Sequence, residues 1–192
     1  MVTVKKATVK DVDKLLPLLL ELDSINQTQK EWRSLFKFHW DDSQNYFGYV
    51  MYDGDTAVGF LGLLFSRRVV KDKINNFCNI SSWIVKKEYR RQSLHLLLPI
   101  LELDNYTITV LTCNAGTYFI TKKLGFVDLE LGQRVILPLP FLPKSKPSTN
   151  IIFNHSEIEK QLKGETLKIY HDHRNLNCFH ILIYGPKHIC YL

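Results

Sequence analysis

The sequence has 192 residues, of which 45% are hydrophobic and 23% are charged, and its formal net charge is +6. This length suits one domain, or one domain with an appendage, and the composition excludes a disordered or fibrous chain. The positive charge favours an anionic partner, and nucleic acid, an acidic membrane and a phosphorylated cofactor all fit that description.

The basic residues form two short groups, at positions 67–73 and 86–91. Short groups indicate a local phosphate site rather than a polyanion track, although an ordinary solvated face is an open alternative. The N-terminal residues lack the apolar core of a signal peptide, and no stretch approaches the roughly 18 apolar residues of a membrane span. We therefore expect a cytoplasmic protein with no membrane partner and no nucleic-acid partner.

The cysteines show neither a C-x-x-C pair nor the dense spacing of a secreted disulfide framework. We expect them to be reduced and mostly buried. Six side chains near the C-terminus could ligate zinc: His171, His173, Cys178, His180, His188 and Cys190. Side chains that alternate between the two faces of a strand would explain these positions without a metal. Their spacing matches no zinc module, so no metal site is predicted.

The first predicted elements are a strand at 3–6 and an amphipathic helix with apolar residues between positions 12 and 22. A second helix is predicted at 28–37, because Thr28 with Glu31 three residues later forms a capping box. This helix lies where an element that covers a substrate could sit, but we expect its aromatic residues to pack into the core instead.

Two strands are predicted at 46–52 and 56–65, joined by the tight turn Asp53-Gly54-Asp55. A charged loop should follow, and then a strand at 77–85. A polar turn at 86–93 then leads into the apolar run 94–103, which should form a helix that Pro99 bends.

The next predicted elements are a strand at 107–113 and a helix at 114–124 that Gly125 ends. A last strand is predicted at 135–139. Several prolines follow, so residues 141–150 are interpreted as a linker after a first domain at 1–140.

Residues 83–98 resemble the acyl-CoA signature of the GNAT superfamily, in which a strand leads through a tyrosine-arginine pair into R-x-x-G-x-G/A. Arg90 takes the place of the first arginine, whereas Ser93 and His95 stand where glycines are usual. Residues 112–126 resemble the second motif of the family, in which an asparagine, here Asn114, starts a helix that ends in K-L-G-F. The resemblance covers residues 1–140.

The resemblance implies an α/β fold, with a mixed, mainly antiparallel sheet and helices on both faces. It also implies an N-acyltransferase that moves an acetyl or other acyl group from acyl-CoA to a small-molecule or protein amine. The residues implied in binding acyl-CoA are Trp83, Ile84, Val85, Arg90, Arg91, Gln92, Ser93, Leu94, His95, Leu96 and Asn114. The pyrophosphate is expected over the backbone of residues 91–96, because a basic strand-turn-helix junction attracts phosphate.

In the family a tyrosine of the second motif often protonates the leaving thiolate, but Thr121 occupies that place here. Tyr118 lies three residues earlier on nearly the same helical face and is the substitute catalytic candidate, with a buried aromatic residue as the alternative. The strand at 77–85 contains no carboxylate, so Ser82 or a water is the next candidate. Cys78 in this strand is interpreted as a core residue.

Two other functions are open at this point. The departures at Ser93, His95 and Thr121 favour a catalytically silent CoA-binding or protein-interaction module. Only the net charge favours nucleic-acid binding, because the stacking aromatic motif of an RNA-binding sheet is not visible.

Residues 151–192 are interpreted as a helix and a β-hairpin that begin a second copy of the same unit. The sequence at 179–184 has the spacing of residues 47–52, although a chance likeness between two hairpins is an open alternative. We expect the hairpin to pair with the sheet of the first domain or with another subunit, as in a homodimer, because a lone hairpin is marginal. The chain is accordingly expected to be a fragment of a longer tandem protein.

Overall fold

A computed structural model describes residues 2–22, 27–37, 44–129, 150–185 and 188–192. The chain divides into two units, Met1–Asp128 and Leu129–Leu192. The strand predicted at 135–139 and most of the predicted linker at 141–150 lie outside the described residues. Asn150, the last residue of that linker, instead begins a strand of the second unit.

Within the described part of the first unit, five strands form one sheet in the order β1-β2-β3-β4-β5. Their bounds are Val2–Ala7 for β1, Gly48–Asp53 for β2, Thr56–Val70 for β3, Lys73–Val85 for β4 and Tyr106–Thr109 for β5. The neighbours from β1 to β4 are antiparallel, and β5 runs parallel to β4. The predicted mixed, mainly antiparallel sheet is confirmed.

Helices cover both faces of this sheet, as predicted. One face packs against α1, Val12–Leu20, and α2, Gln29–Leu35, through a cluster that includes Leu15, Leu19, Trp32 and Phe36. The other face packs against a 3-10 helix at Lys87–Leu96, here called the basic helix, together with α3, Leu98–Leu101, and α4, Ala115–Lys123. The sheet therefore separates two apolar layers, and a side chain on a strand belongs to one or the other.

Local sequence signals account for two of these elements. The Thr28 hydroxyl accepts from the Glu31 N–H at 3.3 Å, and Glu31 Oε2 accepts from the Thr28 N–H at 2.7 Å, so α2 begins with the predicted capping box. The predicted hairpin between β2 and β3 turns at Gly54, whose φ of 57° lies in the left-handed region that glycine tolerates.

The charged loop predicted between the strands at 56–65 and 77–85 is wrong. Residues 66–76 continue both strands and form a long hairpin, with Val70 opposite Lys73. Lys71 and Asp72 make its turn, with φ values of 50° and 62°. Two consecutive positive φ values match the twist of antiparallel strands, but the Lys-Asp pair lacks the glycine that usually marks such a turn.

The single bent helix predicted at 94–103 is also wrong. The basic helix ends at Leu96, and α3 begins at Leu98 with Pro99 in its first turn. Proline suits a first turn because its missing N–H would have no intrahelical partner there. The chain thus breaks before Pro99 instead of bending at it. The strand predicted at 107–113 is shorter than expected and ends at Thr109.

The expectation that the cysteines are mostly buried is wrong as well. All four thiols are free, but only Cys78 is buried, whereas Cys113, Cys178 and Cys190 are exposed. Cys78 lies on β4 in the central sheet, while the other three lie in a loop or in the small second unit.

Within the described part of the second unit, three strands form an antiparallel sheet in the order β6-β7-β8. The bounds are Asn150–Ile152 for β6, His155–Gln161 for α5, Gly164–His173 for α6, Leu182–Tyr184 for β7 and Ile189–Tyr191 for β8. β7 and β8 pair as a hairpin, although β7 is shorter than the predicted strand at 179–184.

The single helix predicted to start at Ser156 and run to about Tyr170 is wrong. Asn154 caps α5 instead, because its Oδ1 accepts from the N–H groups of Ser156 and Glu157 at 3.0 and 3.2 Å. The helix then breaks before Gly164, whose φ of 57° is left-handed, and α6 begins there.

The two units share an order of elements. The described part of the second unit runs strand, helix, helix, strand, strand, and the first unit begins with the same order apart from a 3-10 helix at Val9–Asp11 before α1. The sheet order β6-β7-β8 repeats the order β1-β2-β3 with the same antiparallel pairings. The interpretation of the second unit as the start of a second copy stays a prediction. In the described ranges of both units, no helix is long and apolar enough to cross a membrane.

Candidate functional site

The sheet opens between β4 and β5. The two strands pair only from Asn76 opposite Tyr106 to Asn79 opposite Thr109, where the Thr109 hydroxyl donates to Asn79 Oδ1 at 3.1 Å. Beyond Asn79, β4 pairs with β3 alone among the described residues. Because every backbone N–H and C=O needs a partner, this open edge offers hydrogen bonds to an extended ligand.

A β-bulge marks the same stretch of β4. The register with β3 shifts between Gly62, opposite Ser82, and Leu63, opposite Ile80, so Ser81 is the extra residue. The extra residue changes which face of the sheet each following side chain of β4 points to. Ile80 and Trp83 consequently pack in the same apolar layer, whereas Ser82 points to the opposite face.

Two buried polar atoms of the predicted acyl-CoA segment have no partner among the described residues. They are the indole nitrogen Nε1 of Trp83, a hydrogen-bond donor, and the amide oxygen Oε1 of Gln92, an acceptor. Leaving such a group unpaired costs about 1 to 3 kcal/mol, so native proteins rarely do so without a reason. One donor and one acceptor suit a ligand that carries amides, as the pantetheine arm of CoA does.

The basic helix is fixed to the sheet at both ends. At its start, the Tyr89 hydroxyl donates to Asp53 Oδ2 at 2.7 Å, and this hydrogen bond is the main reason why the pKa of Tyr89 is raised. At its end, Leu96 and Val85 both contact Gly59 of β3, where an added Cβ would meet each side chain at 3.2 Å. The predicted binding residues of β4 and of the basic helix are thus brought together.

The backbone N–H groups of residues 91–96 lie inside the basic helix and not at its start. In an ideal helix of this type each N–H donates to the carbonyl three residues earlier. The side chains of Arg90, Arg91 and His95 are exposed, and Ser93 is half-buried. The predicted cations are therefore accessible, and the position of the pyrophosphate over residues 91–96 stays a prediction.

The second motif places its residues in α4. Asn114 caps this helix as predicted, and its Oδ1 accepts from the Thr117 N–H at 2.9 Å. Thr121 is buried, and its hydroxyl lies 3.1 and 3.0 Å from the carbonyl oxygens of Thr117 and Tyr118, to one of which it donates. It is therefore engaged within its own helix, so it is a poor proton source for a ligand.

Tyr118 is 40% exposed, and its hydroxyl donates to Asp128 Oδ2 at 3.4 Å. Ile120, also on α4, packs in the apolar layer of Trp83. Ser82 points to the other face of the sheet, so the two catalytic candidates, Tyr118 and Ser82, do not share one face.

An aromatic cleft lies on the face to which Ser82 points. α2 and its end contribute Trp32, Leu35 and Phe36, and the chain around β3 contributes Phe47, Phe60, Gly62, Leu63 and Leu64. Ser81 and Ser82 of β4 complete the cleft, which is partly open to solvent. Its described lining contains no ionisable side chain. The sequence signal for this cleft was the aromatic group in and after the helix predicted at 28–37, for which core packing was preferred over a substrate-covering role; Trp32 and Phe36 are indeed buried in the core.

Cys78 lies on β4 near this site but is not a nucleophile. Burial raises the pKa of its thiol to about 12, so almost none of it is ionised at neutral pH. Among the described residues, no group of three histidine, cysteine, aspartate or glutamate side chains is arranged to hold a metal ion.

No protein-family model and no curated protein sequence matches the chain. Solved structures do match it. An acetyltransferase from Trypanosoma brucei aligns at 17% identity with a TM-score of 0.52, covering 71% of this chain and 100% of its own. The glucosamine-6-phosphate N-acetyltransferase of Arabidopsis thaliana aligns at 12% identity with a TM-score of 0.54, covering 71% and 98%.

A ribosomal-protein-alanine N-acetyltransferase from Brucella melitensis aligns at 11% identity with a TM-score of 0.52, covering 71% of this chain and 99% of its own. At such identities a structural match establishes the fold and not the substrate. The chain has the fold of the GNAT acetyltransferases.

Proposed function

We propose that this protein is an acyl-CoA-dependent N-acyltransferase that transfers an acetyl or other acyl group to an amine. The observation that carries the proposal is the open edge of β4 beyond Asn79, in a segment whose buried Trp83 Nε1 and Gln92 Oε1 have no partner among the described residues. An acyl-CoA arm laid along this edge would pair these atoms and the strand backbone together. The shared fold supports the proposal, because all three neighbours named above are acetyltransferases.

The acyl donor supplies a thioester whose carbonyl carbon a neutral amine attacks. In this proposal the backbone of β4 at Trp83 to Val85 orients the donor, and Arg90 and Arg91 hold its phosphates. The aromatic cleft holds the acceptor on the other side of the strand. Its uncharged, mainly apolar lining suits an apolar group beside the reacting amine.

Ser82 is the described polar residue best placed between the donor edge and the cleft. We expect Ser82→Ala to lower kcat about tenfold while the KM for acetyl-CoA changes little, because a hydroxyl that passes on the amine proton acts mainly in the transition state. Steady-state kinetics measures both constants. Ser66→Ala, on β3 and outside the cleft, is the matched control, and an equal loss in both variants would remove Ser82 from the mechanism.

A catalytically silent acyl-CoA-binding module is the second candidate. It is favoured by the Thr121 hydroxyl, which is engaged within α4, and by the contact of Tyr118 with Asp128. Calorimetric titration with acetyl-CoA tests binding, and release of free CoA thiol in the presence of an amine panel tests turnover. Binding without thiol release selects the silent module, release with amines selects the transferase, and no binding rejects both.

A further inference from the structure

The second unit contains a cluster of aromatic and imidazole rings that acyl transfer does not use. His180 is its buried centre, and the ring centroids of His155 and Tyr170 lie 5.3 Å from that of His180. The ring of Tyr191 is stacked on it at 6.0 Å with an interplanar angle of 3°. These contacts from α5, α6 and β8 hold the imidazole in one orientation.

The two nitrogens of this imidazole have different partners. Nδ1 lies 2.6 Å from the Tyr191 hydroxyl oxygen, and Nε2 lies 3.5 Å from the Cys178 sulfur. Burial, with smaller contributions from Cys178 and Tyr170, raises the pKa of Tyr191, so the phenol stays neutral at physiological pH. In the tautomer in which Nδ1–H donates to the Tyr191 oxygen, Nε2 is the unprotonated nitrogen and faces the Cys178 sulfur.

Cys178 is exposed, although its partner His180 is buried. Its sulfur also lies 3.5 Å from the carbonyl oxygen of His173. The single thiol proton can serve only one of these acceptors at a time. Only the imidazole can keep that proton once the sulfur has become a thiolate. The arrangement of an exposed thiol, a base in contact with it and a third group on the base is the usual one for an activated nucleophile.

We propose that Cys178 is a reactive thiol activated by His180, and that it takes small disulfides such as glutathione disulfide as substrates. The Cys178 sulfur attacks one sulfur of the disulfide, and a new S–S bond forms as the old one breaks. The thiol proton passes to His180 Nε2 and then to the departing thiolate. The products are a mixed disulfide on Cys178 and one free thiol, so the disulfide is the only oxidant.

The chain contains its own controls for this reaction. Cys113 and Cys190 are also exposed, and Cys78 is buried. Among the described residues, Cys178 is the cysteine whose sulfur contacts an imidazole. An ordinary thiol is only a few per cent ionised at pH 7, so an imidazole that removes the proton during attack increases the rate.

The test treats the full native chain with glutathione disulfide at pH 7 and follows each cysteine by peptide mass spectrometry. We expect Cys178 to react about tenfold faster than Cys113 and Cys190, while Cys78 stays reduced. In urea the four cysteines should react at similar rates. Equal native rates at the three exposed cysteines would overturn the proposal, and this comparison needs no variant.

A variant then identifies the base. His180→Gly should lower the rate at Cys178 to that at Cys113, and added free imidazole should restore it at Cys178 without changing Cys113. His171→Asn, which alters an imidazole bonded to Glu159 instead, should leave the rate at Cys178 unchanged. If Cys178 in His180→Gly reacts as fast as in the native chain, His180 is not the base and the proposal fails.

Discussion

Replacing Arg90, Arg91 and Ser93 together by glutamate should weaken acetyl-CoA binding at least about hundredfold. The change turns two exposed cations and one neutral side chain of the basic helix into three anions beside the expected pyrophosphate. Each new like-charge contact near a surface costs on the order of 1 kcal/mol, and about 1.4 kcal/mol is tenfold in affinity. Calorimetric titration at physiological ionic strength measures the dissociation constant.

The matched control carries the same change of charge in another part of the same sheet. Ser66, Arg67 and Arg68 lie on the outer half of β3, opposite Phe77, Asn76 and Asn75 of β4. Their triple glutamate variant should bind acetyl-CoA within about threefold of the unaltered chain when both variants are titrated at physiological ionic strength, because charges farther from a ligand than the Debye length of about 8 Å are then largely screened. A similar loss in both variants would mean that net charge, and not the basic helix, attracts the ligand.

Gly48→Ala should destabilise the first unit by about 4 kcal/mol or more, the largest single-residue effect expected in this chain. Gly48 begins β2 with a φ of 149°, and a Cβ built there would lie 2.1 Å from the Leu61 carbonyl oxygen. Neither the backbone conformation nor the space accepts an L side chain. Urea unfolding, followed by tryptophan fluorescence, reports the free energy of unfolding.

Gly116→Ala is the matched control for this substitution. Gly116 lies in the first turn of α4, and its added Cβ would contact only Asn114 Oδ1, at an ordinary 3.4 Å. Alanine should therefore stabilise the chain by up to about 1 kcal/mol, because it restricts the unfolded state and favours the helix. A lower free energy of unfolding for Gly48→Ala together with a higher one for Gly116→Ala would support the geometry at Gly48. An unchanged free energy of unfolding for Gly48→Ala would contradict it.

Local sequence patterns predicted the elements whose signals lie within a few residues. The capping box of Thr28 and Glu31, the turn at Gly54 and the cap at Asn114 all appear in the structure as predicted. The two motifs likewise predicted the fold. Each of these features depends on backbone groups close in sequence, so it can be recognised without knowing the tertiary contacts.

Features that depend on distant contacts were missed. The hairpin turn at Lys71 and Asp72 carries no glycine, and the pairing of its two long strands decides its conformation. The aromatic cleft exists because α2 packs over the bulge of β4, which no local pattern shows. The unpaired atoms of Trp83 and Gln92 are similarly visible only once burial is known.

The basic helix spans 10 residues, whereas helices with this hydrogen-bonding pattern rarely exceed three or four because its geometry is poor. Acyl-CoA binding could therefore draw on a different backbone form of the same segment, with free N–H groups toward a phosphate. If that form made up about 1% of the ligand-free molecules, the apparent dissociation constant would be about a hundredfold above the intrinsic one. Substitutions that shift this population would then change the affinity through the conformation of the protein rather than through contacts with the ligand.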